Sequence, residues 1–207
     1  MLLKNLFWYF KGALSDQFCD EVIKYGNSKV DEKGRVGGTA TKKLNKDQKK
    51  FLKKTRDSNV AWLSDRWIFD EILPYINKAN QNAEWNFDID FCEAIQFTKY
   101  KKNQFYEWHC DPMPEPYNSP DKPNIHGKIR KISATVQLSD PKDYSGGEFQ
   151  IQPRNQANPA KPIITVKEAK PRGSVLVFPS ELWHRVKPIT KGTRYSLVVW
   201  NLGYPFK

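Results

Sequence analysis

His109 and Asp111 stand as a His-x-Asp pair in Phe105-Tyr106-Glu107-Trp108-His109-Cys110-Asp111, and His184 follows far downstream in Trp183-His184-Arg185-Val186, with Arg194 ten residues beyond it. Two imidazoles and one carboxylate on one face of an octahedral metal leave three positions open, the arrangement by which a mononuclear iron holds a co-substrate and oxygen together. An oxidative enzyme is therefore the leading expectation. On a strand alternate residues share a face, so His109 and Asp111 would point inward together, and Cys110 would point away as a small packed residue rather than a redox switch. Arg194, Ser196 and Val198 would share a face in the same way. An inward guanidinium in so apolar a strand asks for a carboxylate, which it can hold bidentately while Ser196 adds a hydroxyl donor. An internal ion pair with Asp or Glu would satisfy it as well. The third histidine, His126, lies in a proline-rich stretch and is expected on the surface or on a lid, outside the metal set.

These residues need a scaffold that brings distant segments together. From residue 87 onward, short runs of β-branched and aromatic residues alternate with turn signals, the pattern of an antiparallel sandwich or barrel. The strands run over residues 91–100, 104–109, 129–138, 147–151, 163–166, 174–178, 184–187 and 194–201, with Lys191-Gly192 as a hairpin turn. Eight short strands suit a double-stranded β-helix, or jelly roll, in a mainly β fold with supporting helices. The prolines between Asp111 and Gly127 forbid a central strand, so residues 112–127 are expected as a long loop beside the site and the candidate lid.

The first 86 residues read as helix-rich support. Residues 2–10 are expected as a buried first strand. Residues 16–26 form an amphipathic helix with Ser15 as N-cap and Phe18, Val22 and Ile23 on one face. A second helix begins near Ser64-Asp65 and runs through Trp67, Ile68, Ile72 and Leu73, with Pro74 kinking it or opening a new turn. Residues 28–59 read as loops, with one short helix around residues 46–54.

A chain of 207 residues with 39% hydrophobic and 14% aromatic residues is long enough for one domain over residues 1–207, and too apolar for disorder. No apolar run reaches bilayer length, so no membrane partner is expected. Cys19, Cys92 and Cys110 make no paired framework and no Cys-x-x-Cys spacing, which favours a reducing cytoplasm. The net charge of +11 is richest over residues 42–54. That run could draw phosphates or an acidic partner, but charge alone argues only about solubility and non-specific association. No Gly-rich phosphate loop supports nucleotide hydrolysis.

Several ordered motifs together resemble the Fe(II)- and 2-oxoglutarate-dependent dioxygenases, in the prolyl/lysyl-hydroxylase-like branch that has microbial and phage-encoded members. They are Tyr106-Glu107-Trp108-His109-Cys110-Asp111, then Ser133-Ala134-Thr135-Val136-Gln137-Leu138-Ser139-Asp140 leading into Tyr144-Ser145-Gly146-Gly147-Glu148-Phe149, and last Gly173-Ser174-Val175-Leu176-Val177-Phe178-Pro179-Ser180 with Trp183-His184-Arg185-Val186. The resemblance implies that His109, Asp111 and His184 bind Fe(II), and that Arg194, with Tyr100 and Ser196, holds 2-oxoglutarate. It places Tyr106, Arg130 and Trp200 in the substrate cleft. Gln137 departs from the family pattern, which commonly has an aromatic there. The implied reaction hydroxylates an unactivated C–H, foremost a prolyl residue of a peptide or protein. It uses O2 and 2-oxoglutarate, gives succinate and CO2, and draws on ascorbate; a phage-encoded member would work in the host cytoplasm. Two alternatives stand beside it: the same chemistry on a nucleic acid met by the basic surface, and a non-catalytic jelly-roll binding module.

Overall fold

The computed structural model describes residues 3–30, 32–33, 54–112, 115–152 and 162–206. Alternation along its longest strand, β15 (Arg194–Gly203), divides the protein into a purely apolar side and a chemical side. Leu197 and Val199 enter one core, whereas Arg194, Ser196, Val198 and Trp200 line a cavity on the opposite face.

The neighbouring strands repeat that division. The larger sheet runs β1 (Trp8–Phe10), β12 (Val175–Pro179), β8 (Ile129–Gln137), β15, β6 (Ile95–Tyr100), β4 (Asn59–Leu63) and β2 (Glu32–Lys33), with β5 (Phe91–Cys92) also paired to β15. The smaller sheet runs β11 (Ile164–Thr165), β10 (Phe149–Gln152), β13 (Trp183–Val186), β7 (Phe105–His109) and β3 (Arg56–Asp57). A two-stranded ribbon pairs β14 (Ile189–Gly192) with β9 (Tyr144–Gly146). Every pairing is antiparallel, and the two facing sheets form the expected jelly roll.

Two helices cover the outer face of the larger sheet. In α1 (Asp16–Lys29) the Ser15 hydroxyl accepts from the Phe18 amide at 3.1 Å, the N-cap read from sequence. In α2 (Arg66–Asn82) Pro74 sits inside a helix that continues past it. The Asp65 side chain makes no capping bond there and accepts from the Tyr25 hydroxyl at 2.9 Å instead. Phe18, Val22, Ile68, Ile72 and Ile76 meet Phe97, Ala134, Val136, Leu197 and Val199 of the sheet in one core. Each fully buried side chain of this size contributes about 1.5–3 kcal/mol. A second core between the sheets contains Tyr100, Tyr144, Phe149, Ile151, Leu176, Phe178, Val186 and Ile189.

The structure departs from the sequence reading in several places. The stretch at residues 91–100 is two strands separated by Glu93-Ala94, where the Glu93 amide still donates to the Trp200 carbonyl at 3.0 Å. The strand expected from residue 147 begins at Phe149, since Gly146 and Gly147 take φ values of 77° and 67° and turn the chain out of β9. Lys191-Gly192 ends strand β14 rather than forming a hairpin turn. The first strand shrinks to three residues and leaves Tyr9 43% exposed. The first 86 residues are not only helical support, since they supply β1, β2 and β4 to the larger sheet and β3 to the smaller one. The short helix expected over residues 46–54 lies outside the described residues except for its last position.

Helix α1 also outruns its expected end at Gly26, because that glycine marks close approach rather than termination. A Cβ there would lie 2.5 Å from the ring of fully buried Phe97. Gly26→Ala sets a helix-propensity gain of about 1 kcal/mol against an overpacking cost of about 1–3 kcal/mol. A lower urea midpoint is the expected outcome; a raised midpoint would show that α1 has room to lift.

Candidate metal centre

The pairing of β13 with β7 sets His184 directly opposite His109, with ring centroids 4.1 Å apart. Asp111 reaches them differently from the strand alternation expected. Strand β7 ends at His109, and Asp111 lies in the following turn, where its amide donates to the Ser180 carbonyl at 3.0 Å. Cys110 is exposed at this turn rather than packed. His126 is exposed on the loop, where its Nδ1 accepts from the Ser119 amide.

Hydrogen bonds aim all three side chains. Each imidazole Nδ1 lies against the carbonyl two residues earlier, His109 on Glu107 at 2.7 Å and His184 on Leu182 at 2.8 Å. Nδ1 therefore carries the proton, and each Nε2 keeps its lone pair. The two Nε2 atoms point at the Asp111 carboxylate, His109 at 3.8 Å and His184 at 3.6 Å. Ser133 donates to Asp111 Oδ2 at 2.6 Å and fixes the carboxylate plane. The three ligating atoms lie within 4.8 Å of one another. Two imidazole nitrogens and one carboxylate oxygen, each oriented by an outer hydrogen bond, fit an Fe(II) ion.

Electrostatics favours the metal-ready protonation state. Burial, reinforced by neighbouring His184, lowers the His109 pKa to about 3. Burial alone would raise the Asp111 carboxyl, but the facing His184, His109 and Arg130 and the Ser133 hydrogen bond hold it below its usual value. Tyr106 stacks on His109 at 3.5 Å, and Arg56 lies 4.5 Å over the Tyr106 ring. Burial pushes that phenol up to about 12, so it stays a neutral hydrogen-bonding group. Phe149 and Phe178 flank His184 with centroids at 5.5 and 4.8 Å.

One cavity is lined by all three ligands, by Arg194, Ser196 and Tyr100, and by Tyr106 and Trp200. Arg194 is 2% exposed and donates to Gln137 Oε1 at 3.0 Å and Ser196 Oγ at 3.2 Å. Among the described residues it pairs with no carboxylate, so the internal ion pair weighed from sequence does not form. A buried guanidinium with only neutral partners is costly until an anion meets it. Trp200 is 5% exposed, and its Nε1 has no hydrogen-bond partner among the described residues.

Arg130 is placed differently from a free substrate contact. Glu93 grips its guanidinium at 2.9 and 2.6 Å, Trp200 stacks on it at 3.9 Å, and Nη1 lies 3.4 Å from the Asp111 carbonyl. The Tyr117 hydroxyl donates to the same Glu93, tying residues 115–127 of the expected lid to this cluster. Sequence reasoning missed Arg56 and Gln96 among the cavity residues and Glu93 behind them. The apolar run at residues 59–63, bounded by Ser58 and Ser64, was the available strand signal for the first of these segments.

The profile of the 2OG-Fe(II) oxygenase superfamily matches residues 95–201. A PKHD-type hydroxylase of Pseudoalteromonas atlantica is 33% identical over 106 residues, which cover 51% of this chain and 41% of that protein. The chain spans about half the length or less of curated relatives that it matches. Among solved structures, a viral collagen prolyl hydroxylase from Paramecium Bursaria Chlorella virus-1 aligns with TM-score 0.64 at 19% identity, over 97% of each chain. A Trichoplax adhaerens prolyl hydroxylase in complex with a hypoxia inducible factor peptide fragment aligns with TM-score 0.61 at 18% identity, over 96% of this chain and 84% of that one. At such identities the structural likeness speaks for the fold.

Two outcomes test this geometry. Ser133→Ala should weaken Fe(II) binding about 10–100-fold, read by anaerobic metal titration, because Asp111 loses the donor that fixes it. In the metal-free protein, unfolding lets His109 take up a proton below its ordinary pKa of 6.5, whereas the folded ring stays neutral to about 3. Stability should therefore fall as pH drops through that interval, and His109→Phe should flatten the fall in urea midpoints measured from pH about 7 to 4. Parallel slopes would show that His109 is not held neutral.

Proposed function

The chain belongs to the 2OG-Fe(II) oxygenase superfamily, and on that premise we propose that it is a dioxygenase hydroxylating a prolyl residue of a peptide or protein. The observation that carries this reading is one cavity holding an oriented His109, Asp111 and His184 cluster beside Arg194, a buried cation that pairs with no carboxylate among the described residues. When bound, Fe(II) and 2-oxoglutarate would supply, with O2, the oxidant for C–H hydroxylation, with succinate and CO2 as co-products and ascorbate keeping the iron ferrous.

Each residue then has a physical task. The Nε2 atoms of His109 and His184 and the Asp111 carboxylate hold the metal. Arg194, Ser196 and Tyr100 receive the far carboxylate of 2-oxoglutarate. Phe149, Phe178 and Tyr106 keep water from the histidines, which strengthens every charge interaction inside. Trp200 Nε1, without a partner among the described residues, offers a donor to a substrate carbonyl, and the neutral Tyr106 phenol a second. Arg130, already paired with Glu93, acts on Asp111 and Trp200 rather than on substrate. This departs from the role its sequence position suggested.

A peptide or protein substrate is favoured by relatives whose names carry prolyl hydroxylation, one of them bound to a peptide. The nucleic-acid alternative rests on the net charge of +11 and on the basic run at residues 42–54, which lies outside the described residues except for Lys54. A vestigial binding module is disfavoured by the intact ligand set. No helix among the described residues is long and apolar enough to cross a membrane.

Incubation with Fe(II), 2-oxoglutarate, ascorbate and proline-containing peptides should add one oxygen atom to a prolyl residue, seen by mass spectrometry with fragment assignment. Oxidised peptide that appears equally without 2-oxoglutarate would refute the reading. Arg194→Ala should raise the 2-oxoglutarate requirement by about 100-fold, the loss expected for a buried charged hydrogen-bond pair, with Fe(II) affinity nearly unchanged. An unaltered requirement would assign the far carboxylate to another cation.

A further inference from the structure

Arg194 also borders a second cavity, of about 350 Å³, on whose wall stand Gln137, Tyr144, Phe149, Val166 and Ala169. Of the residues that line the two cavities, Arg194 and Phe149 alone are common to both. The second cavity therefore has its own walls and approaches the guanidinium through a different part of the fold.

Its chemistry is asymmetric. The walls are chiefly apolar, and the cations concentrate at two places: the buried guanidinium of Arg194, and the exposed Lys167 and Lys170. Among the described residues the one carboxylate lining it, Glu148, lies 3.6 Å from Lys187 Nζ. Gln137 Oε1 accepts from Arg194 Nε, and Gln137 Nε2 donates to the Tyr144 hydroxyl oxygen at 3.1 Å. Because that oxygen accepts, its own proton remains available to a ligand. Gly147 packs against this wall: a Cβ there would meet Ile189 Cδ1 first and would stand 3.2 Å from Arg194 Cδ. An apolar chamber with a guanidinium and a phenol donor deep inside, and lysines at its exposed edge, matches a carboxylate carried on an apolar body.

We propose that this second cavity binds a small carboxylic acid with an apolar body, its carboxylate pairing with Arg194 and Tyr144. Resting on the reading in which Arg194 also receives 2-oxoglutarate, the acid and the co-substrate share one cation and weaken each other's binding reciprocally. The protein would then slow its turnover when such acids accumulate.

Hexanoate is the probe and hexanol its neutral counterpart, both followed by ligand-observed NMR on the purified protein with Fe(II) under anaerobic conditions. Hexanoate should bind and hexanol should not. Two variants leave the metal cavity alone: Ala169→Phe fills the second chamber, and the double variant Lys167→Glu with Lys170→Glu reverses charge at exposed positions, where folding is not at risk. Each should weaken hexanoate by about fivefold or more while 2-oxoglutarate affinity persists, and saturating hexanoate should weaken 2-oxoglutarate by about fivefold in the parent only. Absent hexanoate binding in the parent, or unchanged binding in the double variant, overturns the second site. Competition that survives in folded Ala169→Phe puts the probe in the metal cavity and also overturns it, leaving the co-substrate reading intact. Hexanoate that binds and responds to both variants in a protein with no 2-oxoglutarate affinity supports the second site and sinks the co-substrate reading instead.

Discussion

The antiparallel pairing of β13 with β7 is the constraint on which the rest of the site depends. It places His184 across from His109, although 74 residues of chain separate them. In each case the carbonyl two residues back holds the ring proton on Nδ1 and leaves Nε2 to face the other ligands. Backbone geometry thus decides the tautomer, and no acidic partner is spent on it. Asp111 completes the set from a turn tied to Ser180, so strands and turn act together on one point.

Buried charge is arranged in two unequal ways around that point. Near the ligands, Arg130 is matched by Glu93 and stacked on Trp200, so its field steadies Asp111 without seeking a new partner. Arg194 has only neutral neighbours in the described structure. A desolvated cation left in that state favours whichever anion can reach it. The fold therefore separates a charge that is neutralised inside the site from one that has no countercharge among the described residues. The apolar core on the other side of β15, formed with α1 and α2, supplies the rigidity that keeps these few polar groups in register.

Much of this was legible in the sequence because jelly-roll strands advertise themselves by alternation. His109, Asp111, His184 and Arg194 stood out by residue type and spacing, and the structure brings them to one cavity. What alternation does not encode is where a strand stops: Asp111 falls past the end of β7, which leaves Cys110 exposed instead of packed. Long-range pairing was hidden for a similar reason. Arg56 and Asn59–Leu63 sit after a lysine-rich stretch that reads as loop, yet they pair with β7 and β6 far along the chain. Gly26 gave a helix-end signal although its true constraint, the Phe97 ring, lies 71 residues away in sequence. Glu93 could not be matched to Arg130 from one sequence, because a salt bridge across strands leaves no local pattern.

On the proposed reading His109, Asp111 and His184 hold Fe(II) while Arg194 brings a 2-oxo acid onto it. Anaerobic titration of 2-oxoglutarate into the Fe(II)-loaded protein is decisive here, because chelation of a 2-oxo acid by ferrous iron produces a visible charge-transfer absorption that neither component has alone. This absorption should rise to saturation in the parent protein and be lost in His184→Ala. Iron that binds stoichiometrically yet gives no visible absorption with 2-oxoglutarate, or an equal absorption in His184→Ala, would contradict that reading.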